Sequence, residues 1–340
     1  MIYIISPILY KTSSFNDIFN GIKKSFESKN VLFKTNEIII SEFKGYGLEN
    51  PDEYFTHALK TLDFLRENVN SGDTILFLDF FFPGLDLLKY FFERTNKDVK
   101  FISLLHGASF VSGDLYSWRW LKNFEEGWLD IFDKVIIPSN FFLENINNKS
   151  IDLSKFIIIP WGIDETIEAN FDSKIYDVIF PHRFDYDKGV FDFYEIAKNL
   201  KNIKIFFPSI DKKRILETFP DDLKDLYFKF KNLDNVILSP LEYGEKHLDS
   251  LRKSKIVLST AKQEGFGYGI IKAIQCGNIP VLPNRCCYPE FFEEKYLYEN
   301  IDGCCYLIEK FLKNYPKDYF SVKGKFSFDN IVLFIINNFK

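Results

Sequence analysis

The sequence predicts an α/β protein of two doubly wound, Rossmann-like domains, and three observations carry that prediction. Short runs rich in β-branched and aromatic residues alternate with longer helical patterns along most of the chain. These runs are almost continuously apolar, the mark of parallel strands covered on both faces. At 340 residues the chain exceeds one compact domain, so two units of about 150 residues are expected, each able to bury its own core.

Strands are predicted at Ile2–Ser6, Thr74–Leu78, Val99–Leu105, Lys134–Pro138 and Phe156–Pro160. A second series follows at Tyr176–Phe180, Ile203–Phe207, Asn235–Ser239, Lys255–Ser259 and Ile279–Leu282. The break falls at Pro160-Trp161-Gly162-Ile163-Asp164, where a strand ends in proline and the polar stretch Glu165–Lys174 begins. This gives an N-terminal domain over residues 1–162, a C-terminal domain over 163–325, and a closing segment over 326–340. Within that segment Phe328–Phe339 reads as a helix with one apolar face, packing on the body. The two domains are expected to face each other across a cleft, with ligands outside the carboxyl ends of the strands. His106, Arg183 and Glu264 each follow a predicted strand end, so three candidates converge on that crevice.

Composition narrows the function. An apolar content of 46% with 27% charged residues is that of a globular protein. The net charge of −5 excludes a general nucleic-acid footprint while leaving room for a local basic groove. Lys23-Lys24 and Lys212-Lys213-Arg214 read as solvated helix faces. No run reaches the roughly 18 to 20 apolar residues of a membrane span: TILFLDFFFPGLDLL is interrupted by Asp79, Pro83 and Asp86. The start MIYIISPILY has no basic leader or small-residue cleavage site, and a cytoplasmic location is expected. Cys286-Cys287 and Cys304-Cys305 form neither a disulfide framework nor a C-x-x-C pair, so reduced thiols are expected. His57, His106, His182 and His247 are too scattered to suggest a metal.

The segment KIVLSTAKQEGFGYGIIKAIQCGNIPVLPNRCCYP reads as strand, Gly-rich loop, helix and strand. First-turn N–H groups lack partners within a helix, and the helix dipole adds positive character, so a phosphate is stabilised there without a metal. Gly265, Gly267 and Gly269 allow close backbone approach. The candidate binding residues are therefore Gly265, Phe266, Gly267, Tyr268, Gly269, Ile270, Ile271 and Lys272, with Glu264 at the strand exit. The plainer reading is a tight turn and nothing more.

In YDVIFPHRFDYDKGVFDFYEIAKNL, Arg183 and Lys188 flank a short loop before a helix starting near Val190. An arginine fork and a mobile lysine charge suit a diphosphate leaving group; two solvated surface charges are the alternative. Asp185-Tyr186-Asp187 has the D-x-D form that can hold a divalent cation. Its position between two cations favours helix capping instead. His106 ends KFISLLHG, where it is placed either to touch a ligand or to be satisfied structurally. The clusters Phe80–Phe82 and Tyr116–Trp120 read as packing.

Taken in order, LLHG, DKVIIPSNFFLENI, IIIPWGID, HRFDYDKG and EGFGYGIIKAIQCGNIPVL resemble the GT-B glycosyltransferases of family 4, over residues 100–290. PHRFDYDK, STAKQEGFG and LPNRCCYPE resemble the branch that mannosylates queuosine in tRNA. The resemblance implies that Arg183 and Lys188 bind the donor diphosphate, that Glu264 contacts donor-sugar hydroxyls, that His106 lies near that sugar, and that the Phe266–Ile271 backbone holds the distal phosphate. It also implies retention at the anomeric carbon. Two departures stand out. Lys272 replaces the acid that binds ribose hydroxyls in the family, and a lysine cannot accept their hydrogen bonds. SPILYKTSSFND replaces the N-terminal Gly-Gly turn, with Ser13 and Ser14 as candidate helix caps.

The expectation is a metal-independent hexosyltransferase with a nucleoside diphosphate sugar as co-substrate and no cofactor. Its acceptor is a hydroxyl of a glycan, small molecule or modified nucleic acid. The alternatives are a mannosyltransferase of a modified tRNA nucleoside and a catalytically degenerate protein of the same fold that binds a nucleotide or partner.

Overall fold

The computed structural model describes residues 1–7, 9–10, 14–36, 40–41, 51–112, 119–146, 151–240 and 244–339. The chain divides into two compact units, Met1–Asp164 with Phe326–Lys340, and Glu165–Lys325.

In the first unit the strands are β1 (Ile2–Ile5), β2 (Leu9–Tyr10), β3 (Phe33–Thr35), β4 (Ile40–Ser41), β5 (Thr74–Phe77), β6 (Lys100–Leu104), β7 (Lys134–Ile137) and β8 (Phe156–Ile158). The helices are α1 (Ser14–Ser28), α2 (Pro51–Asn68), α3 (Leu85–Arg94), α4 (Arg119–Ile131) and α5 (Asn140–Glu144). Six strands form a parallel sheet in the order β3-β1-β5-β6-β7-β8, with Ile4 opposite Leu76 and Leu76 opposite Ile102. All four residues of β1 and of β5 are buried, which is why both strands read as unbroken apolar runs. β2 and β4 pair separately. Phe80 and Phe82 are buried, Phe80 edge-on to Phe110 and Phe82 against Phe77. Tyr116–Trp118, Ser13, and the side chains of Ser14 and Trp120 lie outside the described residues.

The second unit holds β9 (Tyr176–Ile179), β10 (Ile205–Ile210), β11 (Val236–Pro240), β12 (Ser254–Leu258), β13 (Ile279–Pro283) and β14 (Leu297–Tyr298). Its helices are α6 (Val190–Asn199), α7 (Lys212–Thr218), α8 (Asp221–Lys231), α9 (Gly244–Arg252), α10 (Tyr268–Gln275), α11 (Tyr288–Phe291) and α12 (Ile301–Asn314). These strands form a parallel sheet in the order β11-β10-β9-β12-β13-β14. An aromatic core fills one face: Phe180 stacks on Phe193 at 4.0 Å, and Phe207 and Phe230 close around them. β10 starts two residues later than the apolar pattern predicts and runs on to Ile210. Its register against β11 shifts between Phe207 and Ile210, where Pro208 has no N–H to give the ladder.

α13 (Phe328–Phe339) belongs to the first unit. It packs on α1 with Phe328 over Gly21, where an added Cβ would lie 2.1 Å from the ring. Lys29 Nζ pairs with Asp329 at 2.7 Å, and Thr74 Oγ1 donates to the Phe339 carbonyl at 2.8 Å. Among the described residues, no helix is long and apolar enough to cross a membrane.

In the first sheet β1 is flanked by β3 on one side and β5 on the other; in the second, β9 is flanked by β10 and β12. Each pair marks the point where strand order reverses, and the crevice beyond its carboxyl ends is where open α/β sheets bind ligands.

Candidate functional site

Arg183 follows β9 by four residues and Glu264 follows β12 by six, so the second unit's reversal point sets both on one crevice edge. Between Arg183 and α6 the chain makes a single helical turn, Tyr186–Lys188, with the Asp185 carboxylate accepting from the Tyr186 N–H at 2.8 Å. Gly189 ends that turn at φ 67°, and a Cβ there would come within 2.1 Å of the Thr260 carbonyl oxygen. Thr260 Oγ1 donates to the carbonyls of Lys188 and Gly189 at 2.8 and 2.9 Å. The loop after β9 is thereby stapled to the exit of β12, a contact only glycine permits.

The cations are not bare. Arg183 Nη2 lies 2.5 Å from Asp187 Oδ2, and its Nε lies 3.5 Å from Asp185. Lys188 Nζ donates to Glu264 Oε2 at 3.0 Å and to the Gln263 carbonyl at 2.9 Å, with Asp187 at 3.3 Å. Burial opposes the charge on Lys188, but Glu264 and Asp187 more than offset it and raise the pKa of its ammonium. Asp187 is the clasp of the cluster. Its carboxylate faces both cations, and its carbonyl accepts from the N–H groups of Lys262 and Gln263 at 2.8 and 3.1 Å. Its Oδ1 is buried with no hydrogen-bond partner among the described residues. Sequence reading weighs Asp187 as a metal ligand or a cap; in the structure it pairs with both cations of its own loop, and its carbonyl joins that loop to the one after β12.

Glu264 also organises the turn that follows it. Its Oε1 accepts from the Gly267 N–H at 3.2 Å, and Gly267, at φ 78°, is the N-cap of α10. A carboxylate offers about four acceptor positions, so these two bonds leave capacity for further hydrogen-bond donors. A Cβ at Gly269 would lie 3.9 Å from the Pro181 carbonyl oxygen, an ordinary contact, so packing does not demand glycine there. Ile270 and Ile271 are buried and anchor the helix, while Phe266 packs edge-on to Phe291. The Ile271 N–H already donates to the Gly267 carbonyl at 2.9 Å. The amides of Gly269 and Ile270 belong to the first turn, which has no intrahelical partners. Gly265 and Tyr268 flank this turn half-buried, and Lys272 lies one turn into α10, also half-buried.

His106 belongs to the first unit, two residues beyond β6. Its Nε2 lies 3.0 Å from the Leu78 carbonyl oxygen. A carbonyl only accepts, so Nε2 carries the hydrogen and Nδ1 is the acceptor nitrogen. The ring sits between Phe15, at 4.6 Å, and Trp161, at 5.0 Å, and burial pulls its pKa down to about 4. His106 is therefore neutral near pH 7 and suited to accepting a hydrogen bond. His57 is buried as well: Asn36 is oriented by the Ser6 backbone, and its Nδ2 lies 3.3 Å from His57 Nε2.

No protein-family model matches the chain. The tRNA-queuosine alpha-mannosyltransferase of Drosophila melanogaster is 27% identical over 177 residues, which cover 47% of this chain and 45% of that protein. The match thus spans under half the length of that relative. Among solved structures, Anabaena HepE in complex with UDP-glucose has a TM-score of 0.70 at 14% identity, covering 99% of this chain and 98% of that one. Sucrose-phosphate synthase from Thermosynechococcus elongatus has a TM-score of 0.68 at 14% identity, over 99% and 97% of the two chains. A glycosyltransferase from Rickettsia africae has a TM-score of 0.62 at 15% identity, over 100% and 94%. At these identities the likeness is one of fold, and the chain has the α/β fold of the GT-B glycosyltransferases, built on two parallel sheets.

Proposed function

We propose that this protein is a glycosyltransferase that moves a hexose from a nucleoside diphosphate sugar to a hydroxyl acceptor. The observation that carries the reading is the meeting of Arg183, Lys188, Glu264 and the start of α10 at one reversal point. Two cations and a helix N-terminus beside a carboxylate match a ligand with a diphosphate at one end and hydroxyls at the other.

In the reaction the bond from the anomeric carbon to the diphosphate oxygen breaks, and its electron pair stays on that oxygen. Arg183, Lys188 and the first-turn amides of α10 stabilise the charge that develops there. Glu264 orients the sugar through its hydroxyls. The acceptor oxygen bonds to the anomeric carbon, and its proton passes to the leaving phosphate. We infer no metal requirement, because Arg183 and Lys188 supply the charge a metal ion otherwise would; retention of configuration is inferred from the family resemblance. A cytoplasmic setting suits the five unpaired cysteines.

The test is a released-nucleotide assay with UDP- and GDP-sugars, run before and after exhaustive chelation. Nucleotide release that survives chelation supports the reading, strict dependence on Mg²⁺ or Mn²⁺ moves Asp185 and Asp187 into a metal site, and absence of release from every donor rejects it.

The similarity to the Drosophila tRNA-queuosine enzyme favours a narrower reading, in which the acceptor is a modified tRNA nucleoside and the sugar is mannose. A polyanionic acceptor requires a local basic surface and binds with steep salt dependence. Failure to bind queuosine-containing tRNA at low salt rejects this narrower reading alone.

A further inference from the structure

Beneath the ion cluster runs a line of buried polar side chains that the donor reading does not use. His182 precedes Arg183, Ser259 follows β12, and Tyr288 opens α11; all three are buried. His182 Nε2 lies 2.9 Å from Ser259 Oγ, and Ser259 Oγ lies 2.8 Å from the Tyr288 hydroxyl. Ser259 is held at its remaining polar groups too. Its N–H donates to the Val281 carbonyl at 3.1 Å, its carbonyl accepts from the Tyr298 hydroxyl at 2.7 Å, and Oγ accepts from the Ala261 N–H at 3.2 Å. A hydroxyl has one hydrogen and two lone pairs. With one lone pair given to Ala261, the hydrogen and the other lone pair serve His182 and Tyr288, so the chain is complete in either direction.

The two ends of this chain touch the two halves of the donor site. His182 is adjacent to Arg183, near enough to Lys188 and Asp187 for their charges to act on its ring. The Tyr288 ring packs against Gly267, where an added Cβ would lie 3.2 Å from Cε1. The same stretch meets the loop again through the Cys287 N–H, which donates to the Glu264 carbonyl at 3.3 Å. For space filling alone a phenylalanine at position 288 would serve. The hydroxyl matters only if the chain itself matters.

We propose that the buried hydrogen-bond chain His182–Ser259–Tyr288 is a positioning element that sets the spacing between the Arg183 loop and the Gly267 turn for a diphosphate bound by both. This rests on the donor reading above. Bonds to a developing oxyanion must lie within about 2.7–3.1 Å, and a displacement of about 1 Å can cost up to about 100-fold, so a loosened chain weakens diphosphate binding through groups that are themselves intact.

The full chain is titrated calorimetrically with inorganic pyrophosphate, and thermal unfolding is followed on the same preparations. Tyr288→Phe and Ser259→Ala each weaken pyrophosphate about ten-fold, and the double variant also weakens it about ten-fold, because both cut one chain. Unchanged affinity with a lowered melting temperature would show that the chain only packs the core. A roughly 100-fold loss in the double variant would show two independent effects and overturn the single chain. On the unaltered protein, the ring ¹⁵N resonances of His182 shift when pyrophosphate is added; unmoved resonances overturn the proposal whether or not the variants fold. Loss of binding in Arg183→Ala with none in Tyr288→Phe rejects the chain but not the donor reading. Pyrophosphate binding that is indifferent to Arg183→Ala rejects the donor reading itself.

Discussion

At the β1/β5 reversal of the first unit the lining is mostly apolar, with Ile5, Pro7, Phe77, Phe81 and Phe82 around Ser6, His57 and Asp79. At the β9/β12 reversal of the second unit, Arg183, Asp187, Lys188 and Glu264 form a connected ion cluster. Both sheets are parallel and both reverse beside their first strand. Topology therefore supplies the crevice in each unit, and the few residues after each strand supply its charge. The histidines show the same division. His106 is neutral and enclosed by Phe15 and Trp161, whereas His182 lies under the cations.

If the second unit depends on its cluster, the largest effect comes from Lys188→Ala, which leaves Glu264 and Asp187 facing each other without their shared cation. Breaking a buried ion pair in this way costs about 3–5 kcal/mol, and calorimetric unfolding should show that loss. Arg183→Ala should lower turnover by about 100-fold or more, equivalent to about 2.7 kcal/mol, with the melting temperature nearly kept because Arg183 is more exposed than Lys188. Undiminished transfer by the folded variant removes Arg183 from the mechanism.

The first unit is tested through pH. The folded His106 value of about 4 lies below the free value of 6.5, so between them the unfolded chain binds the extra proton. Stability is intact above about 6.5 and is lost as pH falls toward 4, by about 3 kcal/mol. His106→Asn should flatten that part of the pH–stability curve; an unchanged slope assigns it to other groups. The smallest effect concerns α13. Asp329→Asn weakens the partly exposed pair with Lys29 and should cost about 1 kcal/mol or less, read as a small shift in the urea midpoint.

Legibility followed burial. β1 and β5 were readable because every residue of both is buried, and β9 and β12 because their closing residues, Val178–Ile179 and Ile256–Leu258, are buried and apolar. β3 and β14 escaped because three partly exposed residues and a two-residue strand carry no periodic signal. Arg183, Lys188 and Glu264 stood out because a strand exit, a Gly-rich turn and a helix start leave marks within a few residues of one another. Asp187 was visible only as part of a D-x-D triplet, although both cations it serves lie on its own loop; what no local pattern shows is that its carbonyl accepts from the Lys262 and Gln263 N–H groups on a loop distant in sequence. Tyr288 left no local mark at all.

Local order along the chain thus determined the α/β class, the strand series and the chemical character of the β9 and β12 exits, because short-range periodicity and turn chemistry are written in adjacent residues. Only the tertiary structure decided that α13 packs on α1, that the cations are already paired, and that His182, Ser259 and Tyr288 form one chain. Those outcomes depend on which buried polar and charged groups find partners after the sheets assemble, and burial makes such partners obligatory without revealing them in sequence.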